Sequence, residues 1–434
     1  MLLLRKSVKL MGIVDLLKRE FSFITGNYRI LVISWVIMDI GMEMPNPNFQ
    51  KYVVETLHGP DMALGLIGFA NFLAMAAVAF PGGYLADKYG RRWLITTMTF
   101  GMALSWLFFA FAPTWHFILL GSIISSLCLI YQPALFALVQ DSLPPERRGM
   151  GSSIIQLIHG TFNTPGPVIA GFLLLQFGLG LSMRIIYLLM TSLFMIAAFW
   201  RLRLKETMKN VKPIRFRYFL SSYPKAIKES ITVWRKVPQS MLWLVIGQTL
   251  VTFGLSLTMV INQIYAIDIL GITLEQWWIV FIPLLLTTVV VSLPIGKAVD
   301  KFGRKKPLIL GVCLFGFAQL IFAFGSFLTI VFSMILQGIA QLLVMSSAMA
   351  LATDLIDPVN RGKIVGFRNF IRYIVMGIGM LLGNYLFIAG KIMNFPQLPF
   401  YVAAGLLVPT ILILVFLVHE PKQKMGQFEN SNDS

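Results

Sequence analysis

The chain has 434 residues, 57% of them hydrophobic and 13% charged, with a mean hydropathy of +0.77 and a formal net charge of +17. Soluble globular proteins run near about 45–50% apolar and about 25% charged, so that class is excluded, as is a disordered chain. The two cysteines, Cys128 and Cys313, lie inside long apolar runs, which excludes a disulfide scaffold and reads as packing.

What remains is a polytopic membrane protein, since each span needs about 20 apolar residues. The first stretch, Met1–Asn27, is interrupted by Arg5, Lys6, Lys9, Lys18 and Arg19 and lacks a small-residue cleavage site, so it does not read as a signal peptide. Ile13, Leu16, Leu17 and Glu20 fit a short helix on the cytoplasmic surface. Twelve apolar segments then predict helices 1–12, at 29–57, 62–86, 93–112, 115–139, 150–176, 182–200, 241–270, 275–299, 306–326, 328–352, 364–388 and 398–418. The expected division is a cytoplasmic segment 1–28, a six-helix half 29–200, a basic cytoplasmic linker 201–240, a second six-helix half 241–418 and a cytoplasmic tail 419–434.

Charge placement orients the chain. With the N-terminus inside, thirty of the 36 basic residues fall in cytoplasmic segments, eleven of them in the linker that begins with Arg201, Arg203 and Lys205. The +17 balance is thus a topology signal with anionic lipid as a partner, and no nucleic-acid patch. Both termini are expected in the cytoplasm and the protein in the plasma membrane.

An internal repeat is the most informative feature. At one offset of 213 residues, Pro81-Gly82-Gly83-Tyr84-Leu85-Ala86-Asp87-Lys88-Tyr89-Gly90-Arg91-Arg92 aligns with Pro294-Ile295-Gly296-Lys297-Ala298-Val299-Asp300-Lys301-Phe302-Gly303-Arg304-Lys305. In the same register Asp141 meets Asp354, Arg148 meets Arg361, Gln50 meets Gln263, Tyr52 meets Tyr265 and Glu55 meets Asp268. Two parallel six-helix halves follow, an all-α membrane fold of twelve transmembrane helices with pseudo-two-fold symmetry. The chain resembles the major facilitator superfamily at these residues, whose two halves are related by an axis along the membrane normal. Gly83-x-x-x-Asp87-Lys88-x-Gly90-Arg91-Arg92 resembles the family's signature loop between helices 2 and 3, and Gly296-x-x-x-Asp300-Lys301-x-Gly303-Arg304-Lys305 its copy between helices 8 and 9.

The loops have a physical reading. Gly90 and Gly303 permit the reversal by tolerating positive φ, and Gly83 and Gly296 are expected to let helices approach closely. The resemblance implies that Asp87 sits at the N-terminus of helix 11 and Asp300 at that of helix 5, where the helix dipole favours a carboxylate. It also implies the pairs Arg91–Asp141 and Arg304–Asp354. With Arg92, Arg148 and Arg361 these residues are the candidate cytoplasmic gate; the plainer alternative is that they mark topology and fix loops.

Asp39 and Glu43 lie four residues apart on one face of helix 1, about 15 and 21 Å along it from Arg29. A charge at a helix centre costs about 2.5–3.5 kcal/mol on insertion scales, so acids there tend to face a cavity and act. Their repeat counterparts, Thr252 and Ser256, are neutral, so the fold does not require acids at these positions. A carboxyl taken out of water binds protons more readily, making both residues candidates for proton coupling or for pairing with a cationic substrate. The Pro45-Asn46-Pro47 break instead places Glu43 near the outer water layer.

Helix 5 carries Gly166-Pro167-Val168-Ile169-Ala170-Gly171, which resembles the Gly-Pro-x-x-Gly-Gly element of the family's drug:proton antiporters with alanine for one glycine; a close-packed kink is the alternative. Helix 4 lacks the arginine that many proton-coupled members carry, reading His116-Phe117-Ile118-Leu119-Leu120-Gly121 there. On helix 11, Arg368 can snorkel to the cytoplasm, whereas Arg372 is deeper and has His159 as its repeat counterpart. Arg372 is a candidate partner of an anionic substrate or of a structural carboxylate. Gln132, Asn163, Gln248, Asn262, Gln263, Gln337 and Gln341 are candidates for substrate contact or for hydrogen bonds between helices.

No phosphate loop, zinc-protease motif or nucleophile elbow occurs, and four dispersed histidines suggest no metal. The expected function is secondary transport by alternating access, without enzyme activity or cofactor: proton-coupled efflux of lipophilic, including cationic, small molecules by a monomer. Proton-linked uptake of a small metabolite or organic anion is the alternative, and a non-transporting sensor of the same fold the third.

Overall fold

The computed structural model describes residues 21–79, 82, 85, 90–144, 147–163, 165–208, 224, 234, 237–355 and 361–420. The expected surface helix before residue 21, most of the basic linker and the tail from 421 lie outside the described residues. What is described is helical, with no strand among the described residues.

Helix occupies each of the twelve segments. We label them α1 Gly26–Met42, α2 Ala63–Ala79, α3 Arg91–Ala110, α4 Trp115–Ser142, α5 148–177, α6 179–201, α7 Gln239–Met259, α8 Leu274–Phe302, α9 Lys305–Ala323, α10 Phe327–Leu355, α11 Arg361–Ile392 and α12 Leu398–Phe416. Among the described residues nine helices are long and apolar enough to cross a membrane, α5 and α6 counting as one; α2 is shorter. Gly178 separates α5 from α6 with φ 68°, a value that glycine reaches without steric cost.

Helices 1 and 7 differ from expectation. Predicted as continuous over 29–57 and 241–270, both stop early, at Met42 and Met259. Each then resumes as a short turn, Phe49–Lys51 or Asn262–Ile264, followed by a π-helical turn, Tyr52–Thr56 or Tyr265–Ile269. Pro45 and Pro47 explain the first break, because proline supplies no N–H to the helix. The break in helix 7 has no proline to mark it.

The chain forms two compact units, Met1–Asn46 with Pro81–Ser222, and Pro47–Phe80 with Tyr223–Ser434. In the first, α1 packs on α6 at Gly41, where an added Cβ would lie 3.1 Å from Leu193, and Trp106, Phe109, Tyr187 and Phe194 form an aromatic cluster. In the second, α7, α9, α10 and α12 share a core built on Met241, Leu244, Val312, Phe315, Ala340 and Leu407. There α2 packs on α11, with Gly68 under Met380 and Gly377 under Phe69.

The two broken segments meet in the second unit. The Gln263 carboxamide oxygen accepts the N–H groups of Gln50 and Lys51 at 3.0 and 3.2 Å, and that of Gln50 accepts those of Gln263 and Ile264 at 3.0 and 3.4 Å. The amide nitrogens donate to Pro47 and Met259 carbonyls at 2.5 and 3.1 Å. Backbone groups freed by each break are thus satisfied by the glutamine of the other, as burial demands. Beside them Lys51, 8% exposed, bridges Glu55 at 2.5 Å and Asp268 at 2.6 Å.

Candidate functional site

The first unit assembles its polar centre from α1 and α5. Asp39 is 4% exposed, and one of its carboxylate oxygens lies 2.7 Å from Nδ1 of His159. The imidazole and the carboxyl group share this hydrogen bond across α1 and α5. The His159 side chain is 38% exposed. Trp35, one turn before Asp39, presents its indole to the imidazole at 6.0 Å between centroids and 68° between planes. Tyr28 fixes the other end of the contact, donating to the Gly151 carbonyl of α5 at 2.8 Å.

Glu43 caps the C-terminus of α1 and accepts a hydrogen bond from Asn46, inside the proline break. Gly166 lies against this point: a Cβ there would sit 3.0 Å from the Met44 nitrogen and 3.2 Å from the Glu43 carbonyl carbon. The helix-5 element, in which Pro167 and Gly171 are also buried, thus seats α5 against the end of α1.

In the second unit the repeat counterparts are Thr252 and Ser256 on α7 and Arg372 on α11. Arg372 is exposed and Arg368 half-buried, and neither has an acidic partner among the described residues. Gln248, half-buried, offers its backbone carbonyl to Thr252 Oγ1 at 2.8 Å. The other candidates spread out. Gln337 donates to Ser333 at 3.2 Å, Gln341 is exposed and Gln132 half-buried. Asn163 and Asn262 each bury a side-chain oxygen without a partner, whereas Gln263 is held in the clamp with Gln50.

At the cytoplasm-predicted ends Arg91 pairs with Asp141, and Gly90 and Gly303 have φ of 95° and 83°. The close approach expected at Gly296 is absent, since a Cβ there would meet nothing within 4 Å. It falls instead at Gly82, whose Cβ would collide with the Ile130 carbonyl where α4 passes through a 3₁₀ turn, Leu129–Tyr131. Gly83 and Asp87 lie outside the described residues, as do the side chains of Arg148, Asp300, Asp354 and Arg361.

Three features escaped the sequence reading. Arg201, counted with the linker, ends α6 and is fully buried, donating to Ser34 at 3.0 Å and Thr99 at 2.8 Å beneath the Tyr131 ring. Glu206 accepts the Arg92 N–H at 3.0 Å, while Arg92 donates to the Leu202 carbonyl at 3.0 Å. Glu420 accepts the Lys305 N–H in the same way, and Lys305 donates to the Val415 carbonyl at 2.7 Å. Arg92 and Lys305, like Leu202 and Val415, are repeat mates, but the glutamates are 214 residues apart, one out of register.

Comparison with known proteins follows this geometry. The model of the Major Facilitator Superfamily matches residues 31–273 and 244–433. Multidrug resistance protein 2 of Bacillus subtilis is 31% identical over 128 residues, 29% of this chain and 30% of that protein. Quinolone resistance protein NorA of Staphylococcus aureus is 24% identical over 175 residues, 40% of this chain and 44% of that protein. The matched stretch is thus less than half the length of either relative. The crystal structure of the nucleoside transporter NupG superposes with a TM-score of 0.68 at 16% identity, covering 91% of this chain and 99% of that one, a likeness of fold.

Proposed function

The chain belongs to the Major Facilitator Superfamily, and from that premise we propose that it is a secondary active transporter that exports lipophilic small molecules in exchange for protons. It is a multi-pass membrane protein of a transporter family, not an enzyme. In the proposal the six-helix halves, 29–200 and 241–418, alternate access to a central site, and the protein works as a monomer in the plasma membrane with its termini in the cytoplasm. Arg91–Asp141 and the signature loops gate the cytoplasmic side.

The observation that carries the reading is the buried Asp39 carboxylate 2.7 Å from His159. Neither residue is needed by the fold, because the repeat places threonine and arginine there. Their use is therefore chemical, and the chemistry this pair offers is uptake and release of a proton. The efflux direction follows the relatives named for multidrug and quinolone resistance. Each proton crossing would supply about 2.3 kcal/mol per 100 mV of membrane potential.

The test uses liposomes that hold a pH dye and an acidic interior, with lipophilic cations, organic anions and sugars added outside. Proton release that depends on an added compound is expected in the wild type, absent in Asp39→Asn and at least tenfold slower in His159→Gln. Wild-type proton release by Asp39→Asn would remove the proposed carrier. Proton movement in the same direction as an anion would instead support proton-linked uptake, the reading favoured by Arg372, which has no acidic partner among the described residues.

A further inference from the structure

We propose that Arg372, with Arg368 one turn before it, binds an anionic group of the transported molecule, so that the substrate is an amphiphile bearing a carboxylate, sulfonate or similar group rather than a simple lipophilic cation. The inference rests on the chain being a transporter, but not on Asp39 being its proton carrier.

The internal repeat supplies the first ground. Asp39 and His159 stand at the positions of Thr252 and Arg372, 213 residues on. In the first unit the basic side chain meets its acid at 2.7 Å. In the second the base has become a permanent cation and the acid a neutral hydroxyl. The fold keeps the basic position and withdraws its counter-charge, and no other acid among the described residues replaces it.

Placement supplies the second. Arg372 lies seven and eleven residues before Gly379 and Gly383, hence on the same stripe of α11. Those two glycines are where α7 comes down on α11, leaving no room for a Cβ against Ser256 and Leu257. The α7 stripe through Ser256 continues inward as Thr252 and Gln248, one and two turns away. Arg372 therefore lies on the stripe of α11 that meets α7 farther along, and it is exposed, so α7 does not cover it. Thr252 and Gln248 offer a hydroxyl and a carboxamide on the matching stripe of α7, and Arg368 puts a second guanidinium one turn away on α11.

Charge inventory supplies the third. Of the two acids on α1, Asp39 is engaged by His159, and Glu43 accepts a hydrogen bond from Asn46 at the end of the helix. Two guanidinium groups with no acidic partner among the described residues are costly in a membrane helix until an anion neutralises them, and guanidinium meets carboxylate and sulfonate through paired N–H donors. An anionic lipid headgroup offers the same chemistry, so the test separates the two sources.

Radiolabelled 1-naphthalenesulfonate, 1-naphthoate and tetraphenylphosphonium would be bound to the purified full chain in phosphatidylcholine nanodiscs, with no proton gradient. Both anions are expected to bind the wild type, Arg372→Gln to weaken them at least tenfold and Arg368→Gln less, with Arg372→Lys partly restoring affinity and reporting an intact fold. Thr252→Asp, which returns the acid that the first unit has, is expected to abolish anion binding while leaving the thermal unfolding midpoint at or above that of the wild type. Anion affinity that survives Arg372→Gln, or binding of tetraphenylphosphonium alone, overturns the proposal. So does phosphatidylglycerol retained through detergent by the wild type and released by Arg372→Gln when neither soluble anion binds. Failure of the Asp39 proton assay would leave these binding results intact, so the two readings fall separately.

Discussion

Asp39–His159 and Thr252/Arg372 occupy the same two places in the 213-residue repeat, and they handle charge differently. In the first copy the charges are internal: a buried carboxylate and an imidazole satisfy each other across α1 and α5. In the second, the α7 position holds a threonine, and the guanidinium of α11 has no acidic partner among the described residues. A closed pair of weak acid and weak base suits a proton. An open, permanently charged cation suits a ligand that arrives with its own negative charge. On the proposed reading, the two copies divide the binding of a proton from the binding of the transported anion.

The largest expected effects break this comparison directly. His159→Leu leaves Asp39 buried and unpaired, which should cost toward the lower end of about 3–5 kcal/mol because the imidazole is partly exposed. Arg372→Leu removes an uncompensated charge and should leave the unfolding midpoint unchanged or raised. Thermal unfolding of the two variants in one detergent decides: equal destabilisation would mean that Arg372 has an internal partner after all. Adding Asp39→Asn to His159→Leu should recover most of the loss in stability while transport stays abolished, since no buried charge is then left alone.

A second, smaller effect sharpens it. A ligand that binds only the folded state at a hundred times its Kd stabilises by about 2.7 kcal/mol. Saturating 1-naphthalenesulfonate should therefore raise the unfolding midpoint of the wild type by several degrees and leave that of Thr252→Asp unmoved. A rise in both would place the anion elsewhere. Arg201 offers a control within the first unit, because its charge is also without an acid but closed off by hydroxyl groups. Thr99→Val deletes one of those acceptors and should cost about 1–3 kcal/mol for the orphaned donor, with no change in anion affinity.

Much of this was legible in the residues themselves. Apolar runs located all twelve helical segments because hydropathy is a local property, and the 213-residue register exposed the duplication because the loop motifs tolerate little change. What failed to show was whatever depends on a neighbour in space. His159 was visible only as the mate of Arg372, since no periodicity links residue 159 to residue 39. Pro45-Asn46-Pro47 marks the break in helix 1, but nothing local marks the one in helix 7, and the clamp of Gln50 with Gln263 joins residues 213 positions apart. Gly296 was assigned a close contact by analogy with its motif, whereas the contact is made at Gly82, which has isoleucine as its repeat mate. Arg201 looked like linker because it begins a basic run.

The smallest effect asks whether the two copies also differ at the cytoplasmic ends. Glu206 and Glu420 each cap a helix that follows a signature loop, α3 and α9, by accepting the N–H of Arg92 or Lys305. A carboxylate at a helix N-terminus is favoured by the free N–H groups and by the dipole, typically by about 0.5–2 kcal/mol for a cap. Glu206 is half-buried and also accepts the N–H groups of Thr207 and Met208 at 3.0 and 3.2 Å, whereas Glu420 is exposed. Glu206→Gln should therefore cost about 1 kcal/mol and Glu420→Gln clearly less, with water screening the exposed charge. Raising the salt to 1 M should reduce the cost of Glu420→Gln more than that of Glu206→Gln, because ions reach the exposed Glu420 freely and the half-buried Glu206 only in part. A larger loss at Glu420 would show that the cytoplasmic ends do not follow the burial pattern, and that the second copy holds its loop by its cap where the first holds it by Arg91–Asp141.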